Sequence, residues 1–173
     1  TGSNQFNGSQ SISGSAVISG SLLQGAQSIA SGIFSHAEGR FTTASGNYSH
    51  AEGQSTKALG QYSHAEGLET QATNLNSHAE GYDTRSTGPY AHAEGWGSIA
   101  SGTATHAEGN FTKAVGGYSH AEGYVTITDG QWSHAEGILT SASADYSHAE
   151  GQNTLSSGVG SHAEGFYSIA SGN

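Results

Sequence analysis

The sequence contains no cysteine and no methionine, a single proline, and only four lysine and arginine residues among its 173. The absence of cysteine excludes a disulfide-stabilised scaffold, an iron–sulfur site and a Cys-ligated zinc site. No stretch approaches the roughly 18 consecutive apolar residues that a membrane-spanning helix needs. The formal net charge of −10 argues against nucleic acid as a partner.

Large apolar side chains are also scarce. Leu, Ile, Val and Phe together number 24, about 14% of the chain. Neither a helical bundle nor a doubly wound α/β enzyme can be packed from so few large side chains, so both are excluded. This composition is typical of disordered chains, but the order of the residues indicates a regular fold.

A strict repeat runs through the chain. Ten histidines recur every 14 residues from His36 to His162, and Ala, Glu and Gly follow each of them. A period of seven lies inside the period of fourteen, with the pattern [ST]-x-A-x-G-x-x. Self-similarity of this kind is typical of a solenoid.

Each heptad predicts one short strand and one corner. Small side chains at positions one, three and five share a face of a strand, so Ser or Thr, Ala and Gly are expected to point inward. Gly and the two residues after it are expected to form the corner, because Gly tolerates positive φ. A helix is disfavoured because Gly every seven residues would destabilise it by about 1 kcal/mol each. The sequence therefore predicts an all-β parallel β-roll with two short strands per 14-residue turn.

The repeat divides the chain in two. Residues 22–173 predict a β-roll of about eleven turns, and residues 1–21 repeat only loosely. In residues 21–25, SLLQG, Leu22 and Gln24 stand where His and Glu are expected. Residues 1–21 are either a degenerate end cap or the junction to an upstream domain. The Thr at the start and the end in mid-repeat predict a piece of a longer chain.

The outward positions of the two strands differ. On the first strand they are His and Glu in ten turns, whereas on the second strand they vary and include Lys and Arg. A variable face is typical of solvent contact, and an unchanging face indicates packing against copies of itself. A threefold axis suits a narrow rod, so the sequence predicts a homotrimer.

These heptads resemble the left-handed parallel β-roll head of YadA-like trimeric adhesins, whose repeats have the form S-V-A-I-G-x-x-S-x-A-x-G. The SHAEG–TxASG form also resembles segments of phage and prophage tail-fibre proteins. The resemblance covers residues 21–173 and implies a left-handed roll and an obligate trimer. It also implies that the outward positions of the first strand face neighbouring subunits. Those positions are apolar in the family and are His and Glu here, for example His36 and Glu38.

We name the ten His and ten Glu of the HAEG segments the His/Glu face, and we predict that it is the trimer interface. Identical residues lie directly above and below each member, where like charges repel, so pairing of His in one chain with Glu in the next is expected. Such pairing would raise the His pKa above about 6.5 and place maximal stability at mildly acidic to neutral pH. The members are His36, Glu38, His50, Glu52, His64, Glu66, His78, Glu80, His92, Glu94, His106, Glu108, His120, Glu122, His134, Glu136, His148, Glu150, His162 and Glu164.

Two alternatives remain for the His/Glu face. Three symmetry-related His residues on the threefold axis suit a metal ion or an anion, and a solvent-facing array would bind an external ligand. Otherwise no metal or other cofactor is expected. Enzyme activity is not expected either, because the H-x-E pairs lack the P-C-x-x-C partner of zinc deaminases and H-E-x-x-H is absent.

Aromatic residues recur at the corners. One column holds Phe34, Tyr48, Tyr62, Tyr90, Tyr118, Trp132 and Tyr146, and the opposite corner holds a mixed set. Stacking between turns and against a neighbouring subunit is one interpretation. The other is a stripe that contacts a carbohydrate or protein, with candidate contacts Tyr82, Trp96, Tyr124 and Trp132.

Together these features predict a non-enzymatic, extracellular attachment segment. It would be a rigid trimeric head or shaft of a phage tail fibre or a bacterial surface adhesin. Its expected partners are two further copies of the chain and a glycan or protein receptor on a host surface. A metal-binding trimeric rod on the same scaffold is the alternative function.

Overall fold

The computed structural model describes residues 20–172, which contain strands and turns but no helix. The first strand of each turn has five residues, except for the last, which has two. These strands are β1 Leu22–Ala26, β3 His36–Arg40, β5 His50–Gln54, β7 His64–Leu68, β9 His78–Tyr82, β11 His92–Trp96, β13 His106–Asn110, β15 His120–Tyr124, β17 His134–Ile138, β19 His148–Gln152 and β21 His162–Ala163.

The second strand of each turn has only two residues. These strands are β2 Ile29–Ala30, β4 Thr43–Ala44, β6 Lys57–Ala58, β8 Gln71–Ala72, β10 Arg85–Ser86, β12 Ile99–Ala100, β14 Lys113–Ala114, β16 Ile127–Thr128, β18 Ser141–Ala142, β20 Leu155–Ser156 and β22 Ile169–Ala170.

Two parallel sheets form the walls of the rod. The odd-numbered strands make an 11-stranded first sheet and the even-numbered strands an 11-stranded second sheet. Each strand pairs with the strand one turn later, so that His36 lies beside His50 and Thr43 beside Lys57. The amide of His50, for instance, donates to the carbonyl of Ser63 at 3.0 Å. The predicted parallel solenoid with two short strands per 14-residue turn is confirmed.

The core consists of very small side chains. The Ala of every HAEG segment from Ala37 to Ala149 is fully buried, and Thr is the largest side chain that is fully buried among residues 20–172. Buried Ser and Thr residues complete the interior. The predicted inward positions of Ser, Thr and Ala are therefore correct.

The strand boundaries and one glycine position differ from the expectation. The first strand begins at His, after the inward Ser, and the second shrinks to two residues. The Gly of each HAEG segment is exposed, or half-buried at Gly137, rather than inward, with φ of 108° at Gly39. This backbone region is open mainly to glycine, and it turns the chain away from the core before the strand is complete.

Positive φ is not confined to glycine, the residue that was expected to adopt it at the corners. The residue immediately before each inward Ser or Thr takes the left-handed conformation, as in Tyr48 and Tyr62, with φ of 58° and 57°. The amide of Tyr62 donates to the carbonyl of Asn47 one turn earlier at 2.9 Å. This inter-turn bond recurs along the rod and holds non-glycine residues in a conformation that they seldom adopt.

The start of the repeat is only partly described. Leu22 and Gln24 pair in register with His36 and Glu38, so the predicted replacement of His and Glu in residues 21–25 is confirmed. Residues 1–19 lie outside the described part of the chain. The interpretation of residues 1–21 as a cap or a junction therefore stays a prediction.

Candidate functional site

The histidines of the His/Glu face form one continuous stack along the first sheet. Rings of successive turns lie 4.6–5.0 Å apart between centroids and within 13° of parallel. This geometry follows from the in-register pairing of His with His in neighbouring strands. The side chains of both columns are about one-third exposed in the interior turns.

Each chain already brings His and Glu together by itself. Nε2 of His36 lies 3.5 Å from Oε2 of Glu38 in the same turn. Nε2 of His106 lies 3.6 Å from Oε2 of Glu108 and 3.2 Å from Oε1 of Glu94 in the preceding turn. Nine of the ten histidines therefore have a carboxylate within 4.0 Å in the described part of their own chain, and His64 is the exception.

The pKa values of four histidines are lowered in the single chain, and the effect of pairing across chains stays a prediction. Burial lowers the pKa of His50, His78, His120 and His148 below 6.5, and the neighbouring imidazoles lower it further. The nearby carboxylates raise the pKa, but by less. Within one chain the stack therefore favours neutral imidazole.

A groove runs beside the glutamate column over several turns. It has a volume of about 740 Å³ and is lined by Gln24, Glu38, Glu52, Glu66, Glu80 and the Gly residues 39, 53, 67, 81 and 95. The exposed Gly positions leave the backbone bare, and the Glu side chains form one wall. The groove adjoins the His/Glu face on the first sheet.

The aromatic column that contains Tyr48 forms ladders between turns. Tyr48 stacks on Phe34 and Tyr62 at centroid distances of 5.6 and 5.1 Å. Trp132 stacks on Tyr118 and Tyr146 at 5.7 and 5.0 Å and within 5° of parallel. The ring faces of Trp132 are thereby covered by its neighbours, and the ring is available to a ligand mainly at its edge.

The four candidate ligand contacts do not form one site. Tyr82 and Trp96 lie side by side in adjacent turns, 6.1 Å apart between ring centroids. Tyr124 lies two turns beyond Trp96, with Asn110 between them in the column. Trp132 belongs to the ladder at the other corner.

Phe111 joins Tyr82 and Trp96 in a group that we name the aromatic cluster. Its ring lies 5.3 Å from that of Trp96 at an angle of 44°. It covers Gly97, where an added Cβ would lie 2.6 Å from the Phe111 ring. The three rings are exposed by 42–48% and are tilted rather than stacked. Gly97 stands at a corner position that holds larger residues, such as Phe41 and Asp83, in other turns. The space that this glycine leaves for the Phe111 ring is the sequence signal that could have indicated the cluster.

A second, smaller groove lies on the variable side of the rod. Its volume is about 370 Å³, and Arg85 Nη2 donates to Asp83 Oδ1 at 2.7 Å within it. Lys57, Gln71 and Arg85 of this groove are outward positions of the second strand, which were expected to face solvent. The lining residues are Phe41, Ser55, Lys57, Glu69, Gln71, Asp83 and Arg85.

The comparison with protein families bears directly on this geometry. Residues 24–49 and 149–173 match the family model described as the YadA head domain repeat, in two copies. The turns between them continue the same parallel register without a break. The two matched segments and the continuous parallel solenoid support YadA-like head repeats. No curated protein matches it.

The role of the YadA head family is structural and adhesive. The family is one of adhesins rather than of enzymes, its heads form trimers, and its members are exposed on surfaces. For the matched repeats, the family implies a structural, adhesin-like role. Residues 20–172 contain no helix of the length and apolarity needed to cross a membrane.

Proposed function

We propose that the chain is a rigid homotrimeric segment of an attachment fibre, with the His/Glu face packed between the three chains. The observation that carries this proposal is the contrast between the two sheets. The first sheet presents the same His and Glu in ten successive turns, whereas the outward residues of the second sheet vary.

The small core supports the same conclusion. The interior of one chain holds only Ala, Ser and Thr side chains along most of its length, so each turn removes little apolar surface from water. Ordering the backbone costs conformational entropy at every residue. Burial of the groove and of the His/Glu face against other chains would supply the missing contacts.

Oligomeric state is the first test. A native mass spectrum at neutral pH should show a species of three times 17.5 kDa. A folded monomer would refute the trimer and leave the His/Glu face as a surface for an external ligand.

The position of the interface can be tested separately because the chain has no native cysteine. His106→Cys places a single thiol on the His/Glu face, and Lys113→Cys places one on the second sheet in the same turn. A short bismaleimide should link chains of H106C into covalent dimers and leave K113C unlinked. Equal linking of the two variants, or linking of K113C alone, would contradict the proposed interface.

The aromatic cluster is our proposed contact with a host-surface glycan or protein. Exposed, tilted aromatic rings offer faces on which a ligand can pack. Tyr82→Ala with Trp96→Ala should abolish binding on a glycan array while the trimer persists. The matched variant Tyr118→Ala with Trp132→Ala removes the same two residue types from a ladder and should retain binding. Equal loss in both variants would contradict this assignment.

For the biological context we propose a phage tail fibre, with a bacterial surface adhesin as the alternative. The support for the phage is the resemblance of the SHAEG form of the repeat to tail-fibre segments. Detection of the chain in purified virions by mass spectrometry would support the phage. Its detection only in a bacterial surface fraction would support the adhesin.

A further inference from the structure

The spacing of His and Glu within a turn is unusual for a hydrogen bond. In seven turns Nε2 of the His lies 3.5–3.9 Å from Oε2 of the Glu two residues later. Good hydrogen bonds between nitrogen and oxygen are shorter, about 2.7–3.2 Å. Most of these pairs are thus too far apart to bond directly, and the gap is too narrow for a water molecule.

The same spacing suits two ligands of one metal ion. Zinc bonds imidazole nitrogen at about 2.0–2.1 Å and carboxylate oxygen at about 2.0–2.2 Å. Two such ligands at a tetrahedral angle are about 3.4 Å apart. The observed pairs need only small side-chain adjustments to reach this value.

Unpartnered nitrogen atoms lie in four of the same turns, those of His50, His120, His134 and His148. Seven histidines have an Nε2 atom that is inaccessible to solvent and lacks a hydrogen-bond partner among the described residues. Buried polar atoms are ordinarily paired, so these atoms call for a ligand. The seven are His50, His64, His78, His92, His120, His134 and His148.

The stack determines how many histidines one ion can take. The ligand atoms of His92, Glu94 and His106 lie within 4.8 Å of one another, and groups of the same kind begin at His106, His120 and His148. The two imidazoles are parallel and stacked, 4.8 Å apart between centroids. The nitrogen lone pair lies in the plane of its ring, so an ion between two stacked rings would be out of both planes. Each ion therefore takes one imidazole from the chain.

We propose that the His/Glu face binds Zn²⁺, with one His Nε2 and one Glu carboxylate of the same turn as the ligands from the chain. Water or groups of a neighbouring chain complete the coordination. This binding site goes beyond the attachment role, and it does not depend on the trimer because both ligands belong to one turn of one chain.

Charge repulsion limits how many turns are filled. Adjacent sites are one turn apart, as are the rings at 4.6–5.0 Å, and two divalent ions at that separation repel strongly. Ions in alternate turns avoid this contact, so the ten turns of the His/Glu face hold about five ions per chain. About five divalent ions also balance the formal net charge of −10.

Zinc titration of protein purified without a metal-affinity column and then treated with a chelator tests the proposal. Native mass spectra with ZnCl₂ should show about five ions per chain at saturation, and MgCl₂ should add none because Mg²⁺ takes oxygen ligands rather than imidazole. No zinc uptake, or a single ion per chain, would overturn the proposal. About five ions per trimer would overturn the one-chain site and favour ions on the axis, shared by three chains. The same spectra report oligomeric state, so failure of the zinc site and failure of the trimer are distinguishable.

Two variants with the same change in charge test the alternate filling. The alternating variant E52Q/E80Q/E108Q/E136Q/E164Q leaves intact pairs in every second turn and should still bind about five ions per chain. The block variant E38Q/E52Q/E66Q/E80Q/E94Q leaves five consecutive pairs and should bind about three. Equal uptake by the two variants would overturn the alternate arrangement, and unchanged uptake by both would overturn the role of the Glu ligands. Circular dichroism verifies that each variant retains the β-roll.

Discussion

The Gly of each HAEG segment is predicted to be indispensable for stacking of the turns, and Gly123→Ala is the perturbation that tests it. Gly123 has φ of 109° and pairs in register with Gly137 of the next turn. A Cβ at this position would overlap the carbonyl oxygen of Gly137 and lie 3.1 Å from its carbonyl carbon. The obstacle is backbone, which cannot rotate away as a flexible side chain can.

Two effects set the magnitude. Holding an L-residue at this φ costs about 1–3 kcal/mol, and forcing extra atoms into a packed site costs about 1–3 kcal/mol. We therefore expect Gly123→Ala to lower the free energy of unfolding by about 4 kcal/mol per chain.

Gly117→Ala is the matched control in the same turn. Its added Cβ meets nothing closer than the carbonyl oxygen of Thr103 at 3.8 Å, and its φ lies outside the left-handed region. Reduced freedom of the unfolded chain should make this variant about 0.5 kcal/mol more stable.

Urea unfolding at one fixed protein concentration measures both variants, because the stability of an oligomer depends on concentration. Circular dichroism reports the whole rod, and the fluorescence of Trp96 and Trp132 reports the turns around the substitution. A loss below about 1 kcal/mol for Gly123→Ala, or equal effects of the two substitutions, would refute the close approach of the glycine columns.

Three further predictions concern the aromatic ladder, the buried hydroxyls and the histidine stack. Tyr48→Ala should lower the free energy of unfolding by about 2 kcal/mol more than Tyr90→Ala. The reason is that Tyr48 stacks on two rings, whereas Tyr90 lies between Asn76 and Ala104 in the same column. Equal losses of stability in thermal melts would contradict stabilisation by the ladder. Thr126→Val should raise the free energy of unfolding by about 1 kcal/mol because the buried Thr126 Oγ1 has no hydrogen-bond partner among the described residues. Thr112→Val should lower the free energy of unfolding by a similar amount because Thr112 Oγ1 donates to Ser98 Oγ at 2.9 Å. The same sign for both in urea unfolding would show that these hydroxyls are equivalent. Burial and neighbouring imidazoles lower the folded-state pKa of four histidines. Stability should therefore be full above the unfolded-state pKa of about 6.5 and decline as the pH falls through that value. The melting temperature is measured with a chelator present, and a rise from pH 7.5 to pH 5.5 would refute this direction.

Much of the architecture could be predicted because the repeat is strict. A chain with a 14-residue period and small residues at alternate positions can bury Ala37, Thr42 and Ala44 in one simple way. It coils so that successive turns stack in register. The two-sheet solenoid, its inward Ala, Ser and Thr, and the pairing of Leu22 with His36 followed from that pattern. The family resemblance agreed with the repeats matched at residues 24–49 and 149–173.

The fine structure of each turn was less predictable. Both heptads carry the same [ST]-x-A-x-G pattern, yet the first strand has five residues and the second has two. Tyr48 and Tyr62 take the left-handed conformation that had been expected of glycine. Inter-turn hydrogen bonds select these conformations, and their number and direction depend on the stacked backbone rather than on local preference.

The sequence by itself determined the period, the register and the composition of each face, because these depend on spacing along one chain. Only the tertiary structure decided which side chains touch. It placed nine of the ten His beside a Glu of their own chain, lowered the pKa of four of them by burial, and folded Phe111 over Gly97 onto Trp96. Such contacts depend on rotamers and on distances between turns, which spacing in sequence does not fix.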